Sequence, residues 1–147
     1  MAIREIRLFG DPVLNSAASP VAAFDAGLER LVVDMLETMD HAGGVGLAAN
    51  QVGLARRVFV FDCQGLRGHI VNPRWRPLGE AMQTGAEGCL SVPGYSFPLK
   101  RAEWVRIAGF DPHGQPIAWE ATGWFARVMQ HEYDHLDGKL YVDRLDE

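Results

Sequence analysis

The sequence predicts an α+β fold from three features: an amphipathic helix early in the chain, a middle stretch rich in strand signals, and a late helix. Its 147 residues suit one domain, spanning 1–147, large enough to bury a core without staples. Hydrophobic residues are 48% and charged residues 22%, which excludes a chain that is mainly disordered. A net charge of -5 argues against nucleic acid as the main ligand. Two cysteines, Cys63 and Cys89, are too few for a disulfide scaffold. The opening MAIREIRLFG has no apolar core of a signal peptide, and no run is long enough to cross a bilayer. The expected compartment is a reducing cytoplasm, where a free thiol persists.

The elements follow in order. An extended N-terminus turns at Gly10-Asp11-Pro12. Residues 25–40 then place Leu28, Leu31, Val32, Met35, Leu36 and Met39 on one helical stripe. Asp25 is the expected N-cap and Gly43-Gly44 the stop. Glu29, Arg30, Asp34 and Glu37 read as that helix's solvated face. A Gly-rich loop follows. Arg57–Asp62 alternates and is rich in β-formers; His69–Asn72 gives a short strand ended by Pro73. Trp104–Phe110 and Pro116–Ala121 form an antiparallel pair across the turn Asp111-Pro112-His113-Gly114. The second helix runs from about Trp124 to Leu136, capped by Thr122 and ended by Gly138. Leu140–Leu145 closes as a short apolar-polar alternation.

Chemistry concentrates in His131-Glu132-Tyr133-Asp134-His135. Side chains at i and i+4 leave one face of a helix, so both imidazoles can reach one metal ion. Glu132 is rotated about 100° from His131 and can stand beside the ion, taking a proton from water. A catalytic site of this kind wants a third protein ligand and an open position. No later His exists, which disfavours protease arrangements completed downstream. Asp137, Asp143, Asp146 and, upstream, Cys89 in Glu87-Gly88-Cys89-Leu90-Ser91 all stay open on spacing alone. A buried packing role is the ordinary alternative for Cys89, and the expected one for Cys63. His41 suits the C-terminal end of the first helix, while His69 and His113 lack ligand spacing. Gly44-Val45-Gly46-Leu47-Ala48-Ala49-Asn50-Gln51 lacks the Lys-Ser/Thr pair of a phosphate loop and follows no strand. Its small residues let another backbone approach, and Gln51 is a neutral donor suited to a carbonyl.

GVGLAANQ, EGCLS and QHEYDHLDG, in that order, resemble the three motifs of the peptide deformylase family. IREIRLFGDPVL, VFVFD and GKLYVDRL extend the resemblance over almost the whole chain. The resemblance implies antiparallel or mixed sheets around a central helix bearing the His-Glu-x-x-His pattern. It implies Cys89, His131 and His135 as metal ligands and Glu132 as general base and acid. Gln51 and the backbone N–H of Leu90 would then bond the developing oxyanion. Val45, Gly46 and Gly88 would bind substrate, whose main chain adds like a strand at Gly46. Trp124 and Val128, seven and three residues before His131, share its helix face and are expected to wall the methionine pocket.

The implied reaction is hydrolysis of a formamide. Metal-bound water loses its proton to Glu132 and attacks the formyl carbon of formyl-Met on a newly made polypeptide; formate leaves. One divalent ion is implied, iron(II) ahead of zinc, nickel or cobalt. The partners expected are formyl-Met peptides and nascent chains, with no nucleic acid, no membrane and a monomeric state. Gly94 stands where many relatives have Glu, and Arg101, just past this segment, is read as a residue to orient the catalytic loop or the substrate. The acidic DRLDE ending predicts weaker ribosome docking than relatives with a basic C-terminal extension. Rival readings are a zinc endoprotease, which would not need Cys89, and a structural metal domain, which would want four closed ligands.

Overall fold

The computed structural model describes residues 2–145. The chain runs α1 (Ala26–Ala42), β1 (Gly46–Ala48), β2 (Val58–Cys63), β3 (Leu66–Pro77), β4 (Met82–Cys89), β5 (Val92–Ala102), β6 (Trp104–Phe110), β7 (Pro116–Thr122), then α2 (Gly123–Leu136). Five strands form one sheet in the order β1-β2-β3-β6-β7, and β4-β5 form a separate hairpin. All named strand pairs are antiparallel. The α+β class holds, with both sheets arranged about α2.

Strand β2 shows why the core has two halves. Its side chains alternate by necessity, yet both faces are covered. Phe59 and Phe61 pack toward α2 with Ile70, Ile107, Phe125 and Met129. Val58 and Val60 pack toward α1 with Leu28, Leu31, Met35 and Met39. The sheet is therefore the middle layer, with α1 on one side and α2 on the other. Asp25 caps α1, its carboxylate accepting from the Leu28 N–H at 3.0 Å, and Gly43 ends the helix in the left-handed region at φ 71°.

Several sequence expectations are corrected. Asp34 is not on a solvated face: the N-terminal segment lies over it. Asp34 accepts from the Ala2 N–H at 2.8 Å and from Arg4 Nη2 at 3.0 Å. Glu37 is half-buried as well. β3 does not stop before Pro73 but runs through it with a register shift. Proline removes a ladder donor there. Asn72 takes a positive φ of 51° and bonds the Val21 backbone with both ends of its amide instead. The β4-β5 hairpin had no alternating apolar pattern to announce it, because most of its outward residues are exposed. Thr122 stands at the α2 N-cap without a side-chain cap bond. The closing residues form a 3-10 turn, Tyr141–Arg144, not an extended alternation. Asp146 lies outside the described residues.

Candidate active site

Three side chains from two elements meet beside the free edge of β1. His131 and His135 leave the same face of α2, one turn apart. Cys89 is the last residue of β4, at the tip of the hairpin, opposite Val92. One ligand atom from each of Cys89, His131 and His135 lies within 4.8 Å of the others. Cys89 Sγ is 3.4 Å from His135 Nε2. A tetrahedral ion with sulfur and nitrogen bonds of about 2.3 and 2.0 Å spaces those donors roughly 3.5 Å apart. The donor set therefore fits one transition-metal ion. Asp137 pairs instead with Arg57, and Asp143 accepts from the Leu140 N–H.

The surroundings favour positive charge at that point. Glu87 Oε1 lies 2.7 Å from His131 Nδ1, which leaves Nε2 to face the cluster. Burial opposes a charge on His131, but the Cys89 thiol and the Glu87 carboxylate outweigh it and push the imidazole up to about 10. A cation held by Nε2 would meet the same negative groups. Burial, with His131 and Arg101 nearby, drives His135 well below its ordinary value, so it stays neutral with a lone pair to give. Burial raises Glu87, yet hydrogen bonds from His131 and Arg101 outweigh it and hold the carboxyl well below the carboxylate range.

Glu132 stands beside the cluster rather than in it. Its Oε2 is 4.0 Å from His131 Nε2, and its Oε1 is buried with no partner among the described residues. Burial pushes this carboxyl up to about 7, with Glu87 and Asp134 adding to the rise. Its position depends on Gly46: a Cβ built there would sit 2.5 Å from Glu132 Oε2. β1 can pass this close because it has no side chain at that position.

A cavity of about 420 Å³ opens onto these groups, lined by Val45, Gly46, Gly88, Trp124 and Val128 among others. Every substrate-binding residue expected from sequence lines it. Trp124 is 40% exposed at the cavity wall, whereas Val128 is 4% exposed and also belongs to the core. Gln51 sits on a 3-10 turn, Ala49–Val52, not in a flexible loop. Its Oε1 accepts from the Ala48 N–H at 2.9 Å, which aims Nε2 at Ser91 Oγ (3.1 Å) and Cys89 Sγ (3.5 Å). Leu90 begins the turn after β4 and lines the same cavity.

A model of the polypeptide deformylase family matches residues 3–147. The chain belongs to the polypeptide deformylase family. Peptide deformylase 1 of Corynebacterium efficiens is 57% identical over 99% of this chain and 89% of its own. Peptide deformylase of Acidothermus cellulolyticus is 55% identical, covering 99% of this chain and 81% of that one. The crystal structure of peptide deformylase from Thermotoga maritima superposes with a TM-score of 0.93 at 40% identity, covering 97% of both chains.

Within this deformylase chain, sequence reasoning missed Glu87 and Arg127. Arg101 and Arg127 are buried and both bond Glu87, through Nη2 and Nη1 at 2.6 Å each. Arg127 has a readable signal: it lies four residues before His131 on the helix face that must be buried. Glu87 had one too, two residues before Cys89 and so on the same face of a strand. Among the described residues, no helix is long and apolar enough to cross a membrane.

Proposed function

We propose that the chain removes the N-terminal formyl group from formyl-Met peptides on newly made polypeptides, releasing formate. The observation carrying this is the buried Glu132 carboxyl, its Oε1 without a partner among the described residues, beside the Cys89, His131 and His135 cluster at the base of a cavity. Cys89, His131 and His135 would hold one divalent ion, iron(II) ahead of zinc, nickel or cobalt; a thiolate donor suits these ions over magnesium or calcium. Such an ion supplies Lewis-acid polarisation of the formyl carbonyl and lowers the pKa of water.

The chain's own residues do the rest. The substrate main chain lies along the unpaired edge of β1 at Gly46, next to Val45 and opposite Gly88. Its methionine side chain goes toward Val128 and Trp124. Glu132 takes a proton from the attacking water at its carboxyl oxygen, then delivers it to the departing amine nitrogen. A carboxyl at about 7 can do both near neutral pH. Gln51 Nε2 turns from Ser91 to the oxyanion, and the Leu90 N–H is the second donor. Cys63 and Cys89 as free thiols suit a reducing cytoplasm, where nascent chains are made.

Formate release from a formyl-Met tripeptide, beside its acetyl-Met analogue, tests the reading. Formate from the first and no cleavage of either peptide bond is the expected result. Internal peptide cleavage would favour the endoprotease reading instead.

A further inference from the structure

A chain of buried charges runs from the last 3-10 turn to the metal-holding cluster. Arg144 grips Asp134 with two bonds, Nε to Oδ2 at 2.6 Å and Nη2 to Oδ1 at 2.9 Å. The same Oδ2 accepts from Arg101 Nη1 at 2.6 Å. Arg101 in turn holds Glu87 at both oxygens, at 3.1 and 2.6 Å. Glu87 Oε1 takes the His131 Nδ1 contact at 2.7 Å. The side chains of Arg101, Glu87 and Asp134 are 4%, 3% and 6% exposed, while that of Arg144 is 26% exposed. Arg144 is thus the solvent-touching end of a path whose inner end is a ligand candidate.

We infer that Arg144 is a positioning residue for the metal cluster, acting on His131 through Asp134, Arg101 and Glu87. The inference rests on the reading that Cys89, His131 and His135 hold a divalent ion. The physical reason is a division of charge. Arg101 serves two carboxylates in a dry interior, where an unpaired carboxylate is costly. Arg144 carries part of the Asp134 demand. Without it Asp134 draws Arg101 harder and the two-point grip on Glu87 loosens; Arg127 still holds Glu87 Oε2, but Oε1, freed from Arg101, fixes the His131 ring less firmly. Lysine keeps the charge but not the fork, so it replaces arginine only in part. The turn has anchors besides Arg144. Leu140 and Tyr141 anchor it in the core, and Asn15 Nδ2 donates to the Gly138 carbonyl.

The test uses the full-length protein loaded with cobalt(II), read by its thiolate-to-cobalt and d–d absorption and by metal release to excess chelator. Arg144→Met is compared with Arg4→Met, which breaks an equivalent Arg–Asp pair at Asp34. Arg144→Met is expected to shift the d–d bands and release cobalt about tenfold faster, with Arg144→Lys between it and the unaltered protein. Arg4→Met is expected to keep the unaltered spectrum and rate. An unaltered spectrum and rate in Arg144→Met overturns the inference. If Arg144→Met does not fold, Arg144→Lys decides: release about threefold faster supports the inference, and an unchanged rate overturns it. Absence of a thiolate-to-cobalt band in the unaltered protein would overturn the metal-centre reading and this inference together. A band with no Arg144 effect would overturn this inference alone.

Discussion

Under the proposed mechanism Gly46 answers two demands, an edge open to substrate and room for the Glu132 carboxyl. The second is the stricter. A methyl group at residue 46 would meet Glu132 Oε2 at 2.5 Å and force the carboxyl aside. Gly46→Ala should therefore lower kcat/KM by about 100-fold, the scale expected when a reacting group is displaced by an ångström. Thermal denaturation should move little, since β1 keeps its pairing to β2. Loss of activity no greater than threefold, about 0.7 kcal/mol, would contradict this role. Trp124 offers the complementary test of the pocket. It is 40% exposed, so Trp124→Ala should leave Tm near that of the parent while raising KM for a formyl-Met peptide about tenfold, or about 1.4 kcal/mol of lost contact. An unchanged KM would take Trp124 out of the pocket. Val128 serves both cavity and core, so its substitution would mix binding with stability.

Elements divide by how their residues announce themselves. α1 was legible because its buried stripe repeats with the helical period; α2, buried almost all round, was legible from Thr122 and Gly138 at its ends and from the i, i+4 spacing of His131 and His135. β6 and β7 were legible because Asp111 to Gly114 is a turn with a mechanism: the Gly114 N–H donates to the Asp111 carbonyl at 3.0 Å. The β4-β5 hairpin was not, since Tyr95 and Phe97 face outward and Glu87 and Arg101 face inward, the reverse of the usual rule. Its inward side is polar because it serves the site. Asp34 was misread for a related reason: nothing in the α1 period reveals that residues 2–4 will cover that face. Its energetics can be checked. Burial works against the Asp34 charge, but the Ala2 N–H and Arg4 outweigh it and lower its pKa. A lowered folded pKa contributes stability above the unfolded value, about 3.9, and loses it as pH falls through the folded one. Arg4→Met should therefore show its full Tm deficit at neutral pH and a shrinking deficit below about pH 4. An equal deficit at pH 7 and pH 3, the latter below about 3.9, would contradict this. At β2, Phe61 lies fully buried among Phe59, Trp119 and Phe125. Phe61→Ala should cost about 3–5 kcal/mol by chemical denaturation.

At the scale of the molecule, two helices and two sheets bring three motifs, distant in sequence, to one cavity. Residues 44–51 supply a strand edge and an amide. Residues 87–91 supply a thiol and a turn. Residues 130–138 supply two imidazoles and a carboxyl. The ordered motifs made that convergence legible, including all three ligand candidates and Glu132. The pairing of Glu87 with Arg101 and Arg127 was not legible, because these partners lie 14 and 40 residues away in sequence. A bound ion would tie α2 to the hairpin, so loading should also raise Tm by mass action. The most direct measurement is formate release from a formyl-Met tripeptide by Glu132→Ala and unaltered protein at equal, verified metal content. The account predicts robust turnover by the unaltered protein and a fall of at least about 100-fold in the variant, the usual weight of a positioned acid-base group. Equal turnover by the two would contradict the role given to Glu132 and, with it, the proposed mechanism.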